Sequence, residues 1–182
     1  MLAAAEEAAI QGFTGGSGTG DADAALEQLY AGHYARLVRL AVLLLRDQGV
    51  AEDVVQDSFV AVHRQWERID PDKAAAYLRR TVVNQSRSAL RRRSVAMRHR
   101  PEPVPAAPAA DESVLRAERR DAVLHALAAL PARQREVLAL RYYLDLSEAE
   151  IASTLGISRG AVKSHASRGA AALRARLSPE ED

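Results

Sequence analysis

Apolar positions recur at three- and four-residue spacing along most of the chain, the signature of amphipathic helices. In the first run, Leu26, Leu29, Tyr30, His33, Leu37, Leu40, Ala41 and Leu44 predict a helix over 21–46 with one buried face. His33 on or near that face is expected to be a satisfied core residue. Asp47, Gln48 and Gly49 break the pattern. Val55, Phe59, Val62 and Trp66 then form a single stripe, predicting a second helix over 51–67. Ile69, Asp70, Pro71 and Asp72 read as a turn. Leu78, Val82 and Ala89 give a third helix, 73–93, its inward side. The periodicity then stops. Four prolines between Pro101 and Pro108 predict an extended linker over 94–112. It resumes with Val123, Ala126, Leu127 and Leu130. Pro131 fits the first turn of the following helix, which packs through Val137, Leu138, Leu140 and Leu144.

The last run carries more than periodicity. Ser147 with Glu150 forms a capping box, so a helix starts near Glu148 and buries Ile151, Ala152 and Leu155. Gly156 suits a helix C-cap, Ile157 bridges, and Ser158 suits the next N-cap. The second helix turns Val162, Ala166 and Leu173 inward. Ser158, Arg159, Lys163, Ser164, His165 and Arg168 remain for the outside. Two short helices with a glycine joint and a basic outer face form a helix-turn-helix pattern, in which the second helix enters the DNA major groove. The competing reading is an ordinary helical hairpin with a solvated basic face.

These elements predict an all-α chain of two small helical domains joined by a proline-rich linker. The second is a four-helix domain with a helix-turn-helix. The expected divisions are a flexible leader at 1–20, a helical domain at 21–93, the linker at 94–112, the helix-turn-helix domain at 113–178 and an acidic tail at 179–182. Aromatics at 4% of 182 residues favour helix over sheet. With no cysteine, disulfides, thiolate metal sites and cysteine nucleophiles are excluded. Neither a spanning segment nor a signal peptide is expected. TGGSGTG near the start lacks the Lys-Ser/Thr ending of a phosphate-binding loop. No catalytic group, metal site or cofactor is expected.

Charge changes the picture only once it is placed. The net charge is +1, yet residues 30–179 carry +9, because eight acids and no base lie outside them. Arg80, Asn84, Arg87 and Arg91 fall on one stripe of the third helix, with Tyr77 and Thr81 adjoining. From Arg79 to Arg100 there are eight arginines and no acid, a density that phosphate would relieve. Opposite the core stripe of the second helix lie Glu52, Asp53, Gln56 and Asp57. These either complement the helix macrodipole or form a patch for a basic partner helix. Arg133, Arg135 and Arg141 add charge for phosphates or for solubility.

Taken together, these segments resemble the extracytoplasmic-function group of bacterial sigma-70 family sigma factors. VAEDVVQDSF at 50–59 is similar to region 2.2, YLRRTVVNQSRSALRRR at 77–93 to regions 2.3 and 2.4, and LPARQREVLALRYYLDLSEAEIASTLGISRGAVKSHASRGAAALR at 130–174 to region 4. The resemblance implies a promoter-specificity subunit of RNA polymerase acting in the cytoplasm. It implies that Glu52, Asp53, Gln56 and Asp57 dock on core polymerase. Arg80, Asn84, Arg87 and Arg91 would open the −10 element, with the loop at 68–74 setting specificity. Ser158, Arg159, Lys163, Ser164, His165 and Arg168 would read the −35 element. Core RNA polymerase, promoter DNA and an anti-sigma factor are the implied partners. His165, Ala166 and Gly169 depart from the family's usual longer basic residue, leucine and alanine, so base preference is expected to differ at His165, and Ala166 and Gly169 are expected either to weaken the helix or to let it pack closer. The alternative is a conventional helix-turn-helix regulator that binds duplex DNA without joining polymerase.

Overall fold

A computed structural model describes residues 19–97 and 121–177, and every regular element among them is helical. Three long helices come first: α1 (Thr19–Leu45), α2 (Gln48–Arg64) and α3 (Ala74–Met97). Short 3-10 turns at Trp66–Arg68 and Pro71–Lys73 connect the last two. After the undescribed stretch come α4 (121–128), α5 (Ala132–Leu138), a π-helical turn (Ala139–Tyr143), α6 (Glu148–Leu155) and α7 (Arg159–Leu177).

The break between α1 and α2 is sharper than the sequence pattern suggests. Arg46 takes a left-handed φ of 57°, and Asp47 caps α2 by accepting a hydrogen bond from Val50 N at 3.1 Å. Gln48 and Gly49 therefore belong to α2 instead of interrupting the chain. An aspartate N-cap contributes about 1 kcal/mol, enough to offset a glycine in the first turn. At its other end α2 stops at Arg64, and Trp66 lies in a 3-10 turn. Helix α3 runs on to Met97, past the expected end at 93. The leader up to residue 18, the rest of the 94–112 linker, the start of the second domain and the tail from 178 lie outside the described residues.

Within the first unit α1, α2 and α3 pack on one another around Leu40, Val55, Val62, Leu78 and Val82, all fully buried. In the second, α5 and α6 both pack on α7. The stripe residues read from the sequence are buried or partly buried, with two exposed exceptions. Tyr30 is 44% exposed, stacked on the ring of Tyr34 at 4.5 Å, and Val123 is 38% exposed.

The two units also pack against each other. The π-helical turn lies on α1, and α6 lies on α3. Leu37, Leu78 and Val82 belong to the same apolar cluster as Leu140, Ile151 and Val162. A polar clasp edges this contact. Arg36 Nη2 donates to Leu144 O at 3.1 Å, and the Tyr143 hydroxyl donates to Arg36 O at 3.2 Å. The π-helical turn places Tyr143 and the Leu144 carbonyl together at the C-terminal end of the α5 segment, and Asp145, at φ 55°, turns the chain away. Burial pushes the Tyr143 hydroxyl above its ordinary pKa, so it remains a donor at neutral pH.

Gly169 shows which reading of its glycine holds. It is buried, and a Cβ built there would lie 3.2 Å from Gln134 Cβ and from Leu138 Cγ and Cδ1. The missing side chain lets α7 sit close on α5. Gly169→Leu is expected to lower stability by about 1–3 kcal/mol through overpacking, despite leucine's better helix propensity. Urea denaturation of the two proteins checks this, and an unchanged midpoint contradicts it.

Candidate nucleic-acid interface

The helix-turn-helix forms as its caps dictate. Ser147 Oγ accepts from Glu150 N at 3.3 Å, and Glu150 Oε2 accepts from Ser147 N at 2.8 Å and from its hydroxyl at 2.6 Å. The Ser147 hydroxyl, then its backbone N–H, holds the Glu150 carboxyl below its ordinary pKa. A depressed carboxyl contributes stability above its unfolded-state pKa and loses it as pH falls through the folded value. Gly156 ends α6 in the left-handed conformation, φ 65°, and Ser158 Oγ caps α7 by accepting from Ala161 N at 3.1 Å.

Helix α7 then presents Ser158, Arg159, Lys163, Ser164 and Arg168 to solvent. Lys163 Nζ lies 3.7 Å from Glu148, and Arg168 Nε donates to Ser164 O at 3.3 Å. His165 is less available than its neighbours. It is half-buried, with its Nδ1 enclosed and without a hydrogen-bond partner. The basic neighbours do not all serve the surface: Arg135 is buried and donates to Ala128 O at 3.2 Å. Arg141 lies 3.7 Å from Glu148.

Helix α3 carries the second basic surface. Arg80, Asn84 and Arg91 are exposed on one stripe. Arg87 shares the stripe but is half-buried. Its Nε and Nη2 donate to the two carboxylate oxygens of Glu136 on α5, at 2.6 and 2.8 Å, and its Nη1 donates to Asn84 Oδ1 at 3.1 Å. Sequence reasoning missed Glu136, although an acid four residues before the buried Leu140 was a readable signal of an acid facing inward. Tyr77, at the start of the stripe, donates its hydroxyl to Gln65 Oε1 at 3.0 Å, and Asp70 binds Lys73 Nζ at 2.7 Å. The first contact ties the end of α2 to α3, and the second lies within the loop at 68–74.

The acidic patch lies apart from both basic surfaces in sequence and on another helix. Asp53, Gln56 and Asp57 are exposed on α2, and Glu52, partly exposed, accepts from Gln48 Nε2 at 2.5 Å. Among the described residues no group of three or more His, Cys, Asp or Glu side chains is placed to hold a metal ion. None of the described helices is long and apolar enough to cross a membrane.

Comparison with known proteins decides the family. Residues 29–102 match the family model for Sigma-70 region 2, and 120–173 match the model for Sigma-70, region 4. The ECF RNA polymerase sigma factor SigL of Mycobacterium tuberculosis is 38% identical over 168 residues, covering 88% of this chain and 94% of the relative. The chain belongs to the extracytoplasmic-function group of the sigma-70 family. It is an RNA polymerase sigma factor, and α1–α3 form its region 2 and α4–α7 its region 4. The fold is similar to that of CnrH solved with the cytosolic domain of CnrY, with a TM-score of 0.67, 28% identity and 94% of both chains covered. It is also similar to that of the sigma factor RpoE solved with the anti-sigma factor NepR from Bartonella quintana. That match has a TM-score of 0.68 and 24% identity, and covers 85% of this chain and 98% of the other.

Proposed function

We propose that this sigma factor reads a promoter with two anchors and docks on polymerase with a third surface. Helix α7 enters the duplex at the −35 element through Ser158, Arg159, Lys163, Ser164, His165 and Arg168. Helix α3 binds and opens the −10 element through Arg80, Asn84, Arg87 and Arg91. Glu52, Asp53, Gln56 and Asp57 dock on core polymerase. The observation that carries this is the α3 stripe: a regulator of duplex DNA alone has no use for a second basic helix and a separate acidic face. Flipping a base out of the stack costs a few kcal/mol, and guanidinium groups that clamp the flanking phosphates offset it. The chain supplies no catalytic group of its own and acts in the cytoplasm, where polymerase works. An anti-sigma factor is a fitting partner, because the solved sigma factor RpoE is bound by one.

Run-off transcription on genomic templates tests this. Core polymerase with the chain is expected to give promoter-dependent transcripts absent with core alone. No such transcript on any template overturns the reading. A narrower expectation concerns phosphate contacts on α7. Lys163→Ala or Arg168→Ala is expected to weaken −35 duplex binding and to reduce the salt slope by about 0.9 for each phosphate lost. Fluorescence anisotropy at several salt concentrations checks it, and an unchanged slope removes the residue from the interface.

A further inference from the structure

A small cleft gathers three basic side chains that the promoter surfaces do not use. It lies where α1 and α3 meet the segment after the π-helical turn, and its volume is about 80 Å³. His33, Arg36 and Arg79 line it, with Ala75, Leu144 and Leu146 as its walls. All three basic residues are half-buried. Arg79 stands about 100° around α3 from Arg80, so it lies off the promoter stripe.

Arg79 is the least satisfied of the three. Its Nε is enclosed and has no hydrogen-bond partner among the described residues. Burial pushes its guanidinium below the ordinary arginine range, Glu150 opposes that shift, and Arg36 adds to it. Glu150 is already committed, because its Oε2 accepts from the Ser147 hydroxyl and N–H. Arg36, which donates Nη2 to Leu144 O, therefore faces Arg79 across one cleft as a like charge. Partial burial removes much of the water that would screen the two. An oxyanion relieves both strains, since it brings opposite charge and acceptors that suit the planar guanidinium fork. Size limits the choice. A water takes about 30 Å³ and ordinary small-molecule sites begin near about 300 Å³, so the cleft suits two or three waters or one tetrahedral ion.

We propose that this cleft is a binding site for a free tetrahedral oxyanion, inorganic phosphate or sulfate, held by Arg79 and Arg36 with His33 beside them. The walls leave no room for a sugar or base attached to the phosphate. They come from both regions, so the ion is a ligand of the whole chain and of neither region alone.

Isothermal calorimetry on the full chain tests this, with sodium phosphate, sodium sulfate and sodium chloride titrated at equal ionic strength. One phosphate or sulfate per chain is expected, with a Kd of about 1 mM or tighter, and no saturable heat from chloride. Arg79→Gln is expected to weaken binding about 10-fold or more, because it removes a charge-assisted donor. Ala75→Leu fills the cleft without changing charge and is expected to do the same. Arg174→Gln, exposed near the end of α7, removes an equal charge elsewhere and should leave the affinity unchanged. AMP carries the phosphate on a larger body and should bind about 10-fold more weakly or worse. Circular dichroism confirms the folds, and Ala75→Leu carries the test if Arg79→Gln does not fold. Binding that survives in both folded variants places the ion elsewhere and overturns the site. An equal loss in Arg174→Gln also overturns it, because net charge alone then accounts for the affinity. No saturable binding of phosphate or sulfate overturns it outright. AMP binding as tight as phosphate overturns the assignment to a free ion.

Discussion

Replacing Asp53 and Asp57 together with arginine is expected to weaken binding to core polymerase by more than about 100-fold while the helices stay folded. Both carboxylates lie on the solvent face of α2, one turn apart, and among the described residues neither takes part in an ion pair. Their side chains therefore contribute little to folding, and surface changes of this kind usually stay within about 0.5 kcal/mol. The core of α2 lies on its other side, through Val54, Val55, Phe59 and Val62. Docking is different. Like charges set against each other across an interface cost several kcal/mol, and a factor of 100 corresponds to about 2.7 kcal/mol. Pull-down of core enzyme with a thermal melt of the free variant separates the two effects. Unchanged capture of core by a folded variant would mean that the patch serves the helix macrodipole and nothing more.

Leu140→Ala is expected to be the most destabilising single truncation among the helix-turn-helix region's neighbours, costing about 2–5 kcal/mol. The side chain is fully buried in the π-helical turn, within the apolar cluster that joins the two regions. Removing it leaves a cavity that α1, fixed by its own packing, can fill only in part. Each 1 kcal/mol moves the midpoint of a domain of this size by several degrees, so a thermal melt resolves the effect readily. Leu177, 40% exposed at the end of α7, provides the control, and Leu177→Ala is expected to stay within about 0.5 kcal/mol. A loss no larger than that control would place Leu140 outside any cooperative core.

What the chain revealed in advance follows from what local physics encodes. Capping box, left-handed glycine and second N-cap are local devices, and the helix-turn-helix formed from them as written. Stripes at three- and four-residue spacing located the core of α2 and α3, because burial is periodic. Local signals failed where a neighbouring element set the outcome. Gly49 looked like a breaker because the capping role of Asp47 was not credited to the helix that follows. Arg135 looked like surface charge, yet the packing of α4 and α5 buries it. Arg87 was grouped with its stripe correctly, but its partner stands 49 positions away on another region. No helical period carries that information. The shared cluster of the two regions was hidden for the same reason: an apolar stripe says that a face is covered, not what covers it.

Permanganate probing of a promoter bound by reconstituted holoenzyme tests the division of labour most directly. Arg80 and Arg91 suit it, because both are exposed on α3 and neither binds Glu136. With the unaltered chain, thymines of the −10 element should become reactive while the −35 duplex is protected. With Arg80→Ala and Arg91→Ala together, −35 protection should persist and thymine reactivity should disappear. Full thymine reactivity in that variant, at equal promoter occupancy, would contradict the assignment of strand opening to α3.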